Sequence, residues 1–279
     1  MVVTIVGIGL IGGSMALALK EQGIASKIIG VDANAMHQQK ALELGLVDEV
    51  REVEEAIAAS QLIVLATPVN ALVQLVPSVL DSVKDQVVMD VGSTKTAVLE
   101  AIGDHAKRGR FVATHPMWGT EYSGPEAAVK GAFEGKATVI CNKEESDADV
   151  MEVVERLYRG LGMHLVYMNA HDHDVHVAYV SHISHITSFA LANTVLQKEK
   201  EEEAIFELAS GGFESTVRLA KSNPSMWVPI FKENRENVLD VLNEHISQLR
   251  KFKACLEKEN YDYLKELIED ANKIKRIIK

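Results

Sequence analysis

Cysteine is nearly missing from this chain. Cys141 and Cys255 are too few and too far apart for a disulfide framework or a zinc site, so a reducing, cytoplasmic setting is the expectation. No apolar run approaches the roughly 18 residues that a membrane-spanning helix requires. Residues 1–5 read as a strand rather than a signal peptide. Basic charge is also short: 29 Lys and Arg stand against 40 Asp and Glu, a formal net charge of −11. Such a surface repels nucleic acid and anionic lipid, and no basic recognition helix interrupts it. An anionic small substrate therefore needs a local cationic pocket. The sequence also shows no internal repeat and no low-complexity tract.

The composition that remains is globular. Hydrophobic residues make up 47% and charged residues 25% of 279, enough for one large or two ordinary domains. Over residues 1–168, β-branched apolar runs at 2–6, 27–31, 62–66, 87–91, 111–113, 137–141 and 164–167 recur. Helical patterns at 36–44, 69–83, 95–105 and 147–161 lie between them. The alternation predicts an α/β fold: a doubly wound, mostly parallel sheet covered on both faces. Its ligands belong beyond the C-terminal strand ends, where strand order reverses.

From residue 169 to 279 no strand pattern returns, which divides the chain into domains 1–168 and 169–279, the second all-helical. Asp172 or Asp174 suits the first turn of a long helix. The stretch 198–203 reads as a solvated helix end or turn, and Gly211-Gly212 breaks the helical run. Asn223-Pro224 starts another helix, and Asn260 caps the last, whose apolar stripe is Leu264, Leu267, Ile268, Ala271, Ile274 and Ile277. Before it, Val238, Leu242, His245, Leu249, Phe252 and Leu256 recur at 4-3-4-3-4 spacing. That seam suits either an ordinary buried helix face or a helix pair across a dimer.

The most informative motif is Gly7-x-Gly9-x-x-Gly12, entered from a strand and opening a helix. Gly7 permits a tight turn, Gly9 lets backbone approach a pyrophosphate, and Gly12 allows close helix–strand packing. Phosphates then meet unpaired N–H groups at the helix start, including Leu10 and Ile11. Asp32 ends the second strand, placed to accept hydrogen bonds from ribose hydroxyls and to repel a 2′-phosphate. NAD is therefore expected over NADP. Thr67, Pro68 and Lys95 complete the cofactor set, although an exposed lysine is the default reading of Lys95.

Chemistry needs further groups. His115 follows the strand at 111–113, where such a sheet places active residues. It reads either as a base on a substrate hydroxyl or as a turn-shaping histidine. Ser93 reads either as a helix cap or as the partner that fixes the His115 tautomer. Arg218 suits a carboxylate through paired hydrogen bonds, against a surface arginine. Trp227 suits core or pocket closure. His171, His173 and His176 diverge on a helix, so no metal is expected. His182 and His185, with Ser181, suit a polar cleft.

Residues 7–14 (GIGLIGGS), 90–95 (DVGSTK), 115–124 (HPMWGTEYSG), 173–185 (HDVHVAYVSHISH) and 211–227 (GGFESTVRLAKSNPSMW) stand together in one order. In these motifs the chain resembles the prephenate/arogenate dehydrogenase family of tyrosine biosynthesis, over nearly its whole length. The resemblance implies an N-terminal doubly wound Rossmann domain, an all-α dimerisation domain that forms a homodimer, and a site in the cleft between them. It also implies NAD-dependent oxidative decarboxylation of prephenate to 4-hydroxyphenylpyruvate, or of arogenate to tyrosine, with tyrosine as a competitive inhibitor. By the family pattern His115 is the base and Ser93 its partner. His182 and His185 line the pocket and Arg218 grips a carboxylate. Thr120, Glu121 and Trp227 edge the site. Arg218 and the histidines together supply local positive potential.

Four positions depart from the family pattern. Ser184 replaces a proline, Ser215 an aspartate that would pair with Glu121, Trp118 a smaller residue or phenylalanine, and Pro229 an aspartate. No mutase domain is expected before these segments and no regulatory domain after them. Two other readings stay open. A β-hydroxyacid dehydrogenase would need a lysine on the interdomain helix, and none lies between 169 and 197. A non-catalytic NAD-sensing regulator would need a partner-binding module.

Overall fold

Period-two burial along the strands sets the architecture. In β1 (Val2–Val6), Val3 and Ile5 enter one apolar core and Val6 another. In β4 (Leu62–Leu65), Leu62 and Val64 oppose Ile63 and Leu65 in the same way. A sheet that is apolar on both faces must be covered on both, here by helices. The computed structural model describes residues 1–200 and 205–277. The other strands are β2 (Lys27–Val31), β3 (Glu49–Val50), β5 (Val87–Asp90), β6 (Phe111–Pro116), β7 (Ala137–Cys141) and β8 (His164–Met168). They lie in the order β3-β2-β1-β4-β5-β6-β7-β8. Pairing is parallel except between β6 and β7. Strand order reverses between β1 and β4, which opens a crevice at their C-terminal ends.

The covering helices are α1 (Leu10–Glu21), α2 (Ala35–Glu43), α3 (Val53–Ala59), α4 (Val69–Ser82), α5 (Thr96–Ile102) and α6 (Ala148–Gly160). β3 and α3 escape the sequence reading because two and seven residues are too short to display a period. The chain folds as two compact units, Met1–Asn234 and Arg235–Lys279. The change of sequence character at 168/169 therefore falls inside the first unit. The helices that follow it, α7 (Ala170–Val177), α8 (Ile183–Glu199), α9 (Gly211–Val217) and α10 (Pro224–Glu233), belong with the sheet. Ala170, Trp227 and Ile230 join the core on one of its faces.

Local chemistry explains these helices. The Asn169 side chain caps α7 by accepting the Asp172 N–H, and Asn223 caps α10 by accepting the Ser225 N–H. Between α7 and α8, Ala178–His182 forms a π turn. The Gly211-Gly212 pair opens α9 rather than interrupting a helix, and Arg218 follows in a 3₁₀ turn, Arg218–Lys221. Of the stretch 198–203, residues 198–200 end α8 and turn out of it, while 201–203, like the helical pattern at 278–279, lie outside the described residues.

The second unit holds α11 (Arg235–Glu257) and α12 (Tyr261–Ala271), the latter capped by Asn260. Along them Leu249, Leu256 and Ile268 are 55%, 59% and 48% exposed, so the apolar seam is left partly open within one chain. Among the described residues no helix is long and apolar enough to cross a membrane.

Candidate active site

The glycine loop differs at each of its three positions. Gly7 has φ +93°, and a Cβ there would stand 2.6 Å from the Ala66 carbonyl. Gly12 would press a Cβ to 2.0 Å from the Gly7 carbonyl, whereas a Cβ at Gly9 would meet nothing within 4 Å. Open space therefore lies over Gly9, the residue immediately before α1, whose start carries no side-chain cap. Asp32 is held by two backbone donors, the Ile8 N–H at 2.8 Å and the Asn34 N–H at 2.9 Å. After β4, the Thr67 hydroxyl is buried without a hydrogen-bond partner, and Pro68 begins the turn into α4. An anion-ready helix start, a fixed carboxylate and an unpaired hydroxyl at one strand-order reversal fit a dinucleotide.

Lys95 does not belong to that set. Its side chain is fully buried; Nζ donates to Asp90 Oδ2 and, at 2.8 Å, to the Thr114 carbonyl. Asp90 also accepts the Gly92 and Thr114 N–H groups. Lys95 is spent on β5 and β6, a correction to its expected place beside cofactor. The reason is that a buried carboxylate at a strand end demands a cation.

His115 lies on β6, half-buried, and its Nδ1 stands 2.9 Å from His173 Nε2. Ser93 makes no hydrogen bond to it, which corrects the expected pair: the imidazole partner comes from α7. His173 Nδ1 in turn meets Asp174 Oδ1 at 2.8 Å. Asp174 is not a first-turn residue facing solvent. It is buried and accepts the Lys95 and Thr96 N–H groups at 2.9 Å, capping α5 from 79 residues away.

The sequence reading missed this pair, although a signal existed. Ala170, His173, Asp174, Val177 and Ala178 are spaced i, i+3, i+4, i+7, i+8, so the two polar residues share α7's buried stripe.

Around this core stand the other histidines. His182 ends the π turn and accepts a hydrogen bond at Nδ1 from Asn234 Nδ2, 3.2 Å away, so its proton sits on Nε2. Asn234 Nδ2 also donates to the Asp174 carbonyl at 2.7 Å, which fixes the amide orientation. His185 stacks on Trp227 with ring centroids 3.5 Å apart and donates from Nδ1 to the Ser181 carbonyl. Trp227 is buried, with Nε1 unpartnered.

Burial above all, with the nearby Lys95 ammonium and the cost of a second charge beside His173 and His182, holds the His115 imidazole well below its ordinary pKa. Burial lowers His182 to about 4 and lowers His185 as well. These rings are neutral near pH 7. They supply dipoles and hydrogen bonds, not the net positive potential anticipated for them.

Arg218 brings an arginine fork to the loop after β6. Its guanidinium meets Glu121 Oε2 at 2.8 Å, joining the 3₁₀ turn to the loop after β6, where Thr120 accepts the Tyr122 N–H. Its own backbone N–H first, and then Arg218, lower the Glu121 carboxyl pKa. Ser215 donates to the Gly212 carbonyl, and Glu121 pairs with Arg218. Ser184 bonds back to the Val180 carbonyl, Trp118 sits edge-on to Phe133, and Pro229 lies within α10. Among the described residues no group of three His, Cys, Asp or Glu is placed to hold a metal ion. His171 and His176 are exposed and His173 faces inward.

Two family profiles match this chain. "Prephenate dehydrogenase, nucleotide-binding domain" covers residues 15–167, and "Prephenate dehydrogenase, dimerization domain" covers 169–270. The chain is 31% identical to the prephenate dehydrogenase of Bacillus subtilis, over 94% of its own length and 72% of the relative's. It is similar in structure to a prephenate dehydrogenase from A. aeolicus solved with hydroxyphenyl propionate and NAD+. That match has TM-score 0.87, 32% identity and coverage of 99% and 97% of the two chains. A Synechocystis arogenate dehydrogenase matches with TM-score 0.77 and 26% identity over 99% of both chains.

Proposed function

This chain belongs to the prephenate dehydrogenase family, and on that premise we propose how its residues carry NAD-dependent oxidation and decarboxylation of prephenate to 4-hydroxyphenylpyruvate. NAD, when bound, supplies the hydride acceptor. Gly7, Gly9 and Gly12 with the Leu10 and Ile11 N–H groups suit its pyrophosphate. Asp32 suits the ribose hydroxyls, and Thr67 and Pro68 suit the crevice edge.

His115 takes the proton of the ring hydroxyl as the carbon bearing it is oxidised. Loss of the ring carboxyl as CO₂ then makes the ring aromatic and drives the reaction forward. Arg218 exchanges Glu121 for a substrate carboxylate, while His182, His185, Thr120 and Trp227 shape the pocket and exclude water. The observation that carries this reading is a neutral, half-buried imidazole at the end of β6, in the same compact unit as an arginine tethered to the loop after that strand.

Arogenate, with an amino instead of a keto group on the side chain, is the second reading. The likeness to the Synechocystis enzyme supports it. Tyrosine shares the phenol and carboxylate of the product and is proposed as a competitive inhibitor. The dimerisation domain is proposed to pair two chains, and the enzyme to work in the cytoplasm.

The direct test is NADH absorbance on mixing protein, NAD and prephenate, with arogenate and NADP as parallel controls. His115→Asn should bind both ligands yet lose about 10²–10⁴-fold in kcat; near-normal turnover removes His115 from the mechanism.

A further inference from the structure

We propose that His173 and Asp174 are positioning residues that fix the tautomer of His115, through a hydrogen-bonded chain Asp174–His173–His115 that spans α7 and β6. The proposal rests on His115 being the base. Its logic runs from the carboxylate outward. Asp174 carries no proton: burial alone would raise its pKa, but His173 and the Thr96 N–H outweigh burial and hold it below the ordinary value. An ionised carboxylate only accepts, so the His173 nitrogen 2.8 Å away, Nδ1, bears the hydrogen. Burial keeps His173 neutral, which leaves Nε2 as a lone pair. That lone pair faces His115 Nδ1 at 2.9 Å, so Nδ1 must be the protonated nitrogen of His115. Nε2 of His115 is then the free basic atom.

One orientation of one carboxylate thus sets both rings. Asp174 cannot rotate to undo it, because its two oxygens also accept the Lys95 and Thr96 N–H groups that open α5. Lys95 is anchored in turn on Asp90 and the Thr114 carbonyl, beside His115 on β6. When His115 accepts the hydroxyl proton on Nε2, the proton stays there. The positive charge is shared through Nδ1–H to His173 and stabilised by Asp174. A base held in the wrong tautomer presents N–H to the substrate and cannot accept, a fault that costs about 10⁴-fold in serine proteases.

The test has two arms. In the first, ¹⁵N spectra of the histidine rings of the wild-type protein at neutral pH, with His115 assigned by His115→Asn, report which nitrogen is protonated. Nδ1–H is expected; Nε2–H overturns the proposal. In the second arm, His173→Phe removes the acceptor and His173→Gln keeps one. His173→Phe should lower kcat by about 10²–10⁴-fold with NAD affinity and KM changed less than about threefold, and His173→Gln should recover to within about tenfold of wild type. Wild-type kcat in His173→Phe overturns the proposal, as does equal loss in both variants. If His173→Phe does not fold, the wild-type spectrum decides. Undiminished turnover in His115→Asn would instead sink the functional reading on which this rests, a separate outcome.

Discussion

Lys95 and Arg218 are both cations near one site, and their surroundings give them opposite tasks. Lys95 is fully buried with Asp90, so removing the ammonium strands a carboxylate in the core. Lys95→Met should therefore destabilise the fold by about 3–5 kcal/mol, read as a drop in urea midpoint. Arg218 is half exposed and its pair with Glu121 adds little to stability. Arg218→Ala should leave unfolding nearly unchanged and raise KM for the dianionic substrate. The loss of a charge-assisted hydrogen bond, about 1.5–3 kcal/mol, corresponds to roughly a 10–150-fold rise. His115 sets the acid limb. A base must be neutral, and burial lowers its pKa, so the fall of kcat/KM on acidification should begin below pH 6.5. A limb above that value would contradict the burial seen here.

Among the elements, the turn from β1 into α1 was legible because its demands are local. Gly7 needs φ +93° and a bare backbone against Ala66. Gly7→Ala should cost more than about 1 kcal/mol and weaken NAD binding together, measurable by melting with and without NAD. The opposite case is α7. Its polar residues read as diverging histidines and first-turn acids, yet His173 and Asp174 turn inward to cap α5 and hold β6. The π turn Ala178–His182 then re-aims the chain so that His182 is buried beside Asn234 and Trp227. A period-3.6 reading gives no warning of the extra residue in such a turn, because the shift is repaid only by tertiary contacts.

At the scale of the molecule, four neutral histidines, two buried and two half-buried, link acidity to stability. In the unfolded chain each regains a pKa near 6.5, whereas His115, His173, His182 and His185 stay lower when folded. Below pH 6.5 the unfolded state binds more protons, so stability should fall as pH drops from about 6.5 toward 4, visible as a falling Tm. The half-exposed seam of α11 suits the dimerisation domain of the family. Sedimentation should give twice the 30.6 kDa chain mass, and Leu249→Glu should shift it toward the monomer. An unchanged dimer would place the contact elsewhere.

Strand alternation, glycine spacing and the run of helices after residue 168 are written in neighbouring residues, because backbone conformation and phosphate-ready turns depend on a few adjacent positions. The doubly wound sheet and the dinucleotide loop followed from that alone, and the family from the resemblance of five motifs standing in one order. Which histidine partners His115, which aspartate caps α5 and where Lys95 spends its charge were decided only in the folded chain. Those contacts join residues 58 and 79 positions apart, or bury a charge that the sequence reads as exposed. Burial and long-range pairing arise from closure of the core; a local spacing such as that of α7 shows at most which face turns inward, not what it meets.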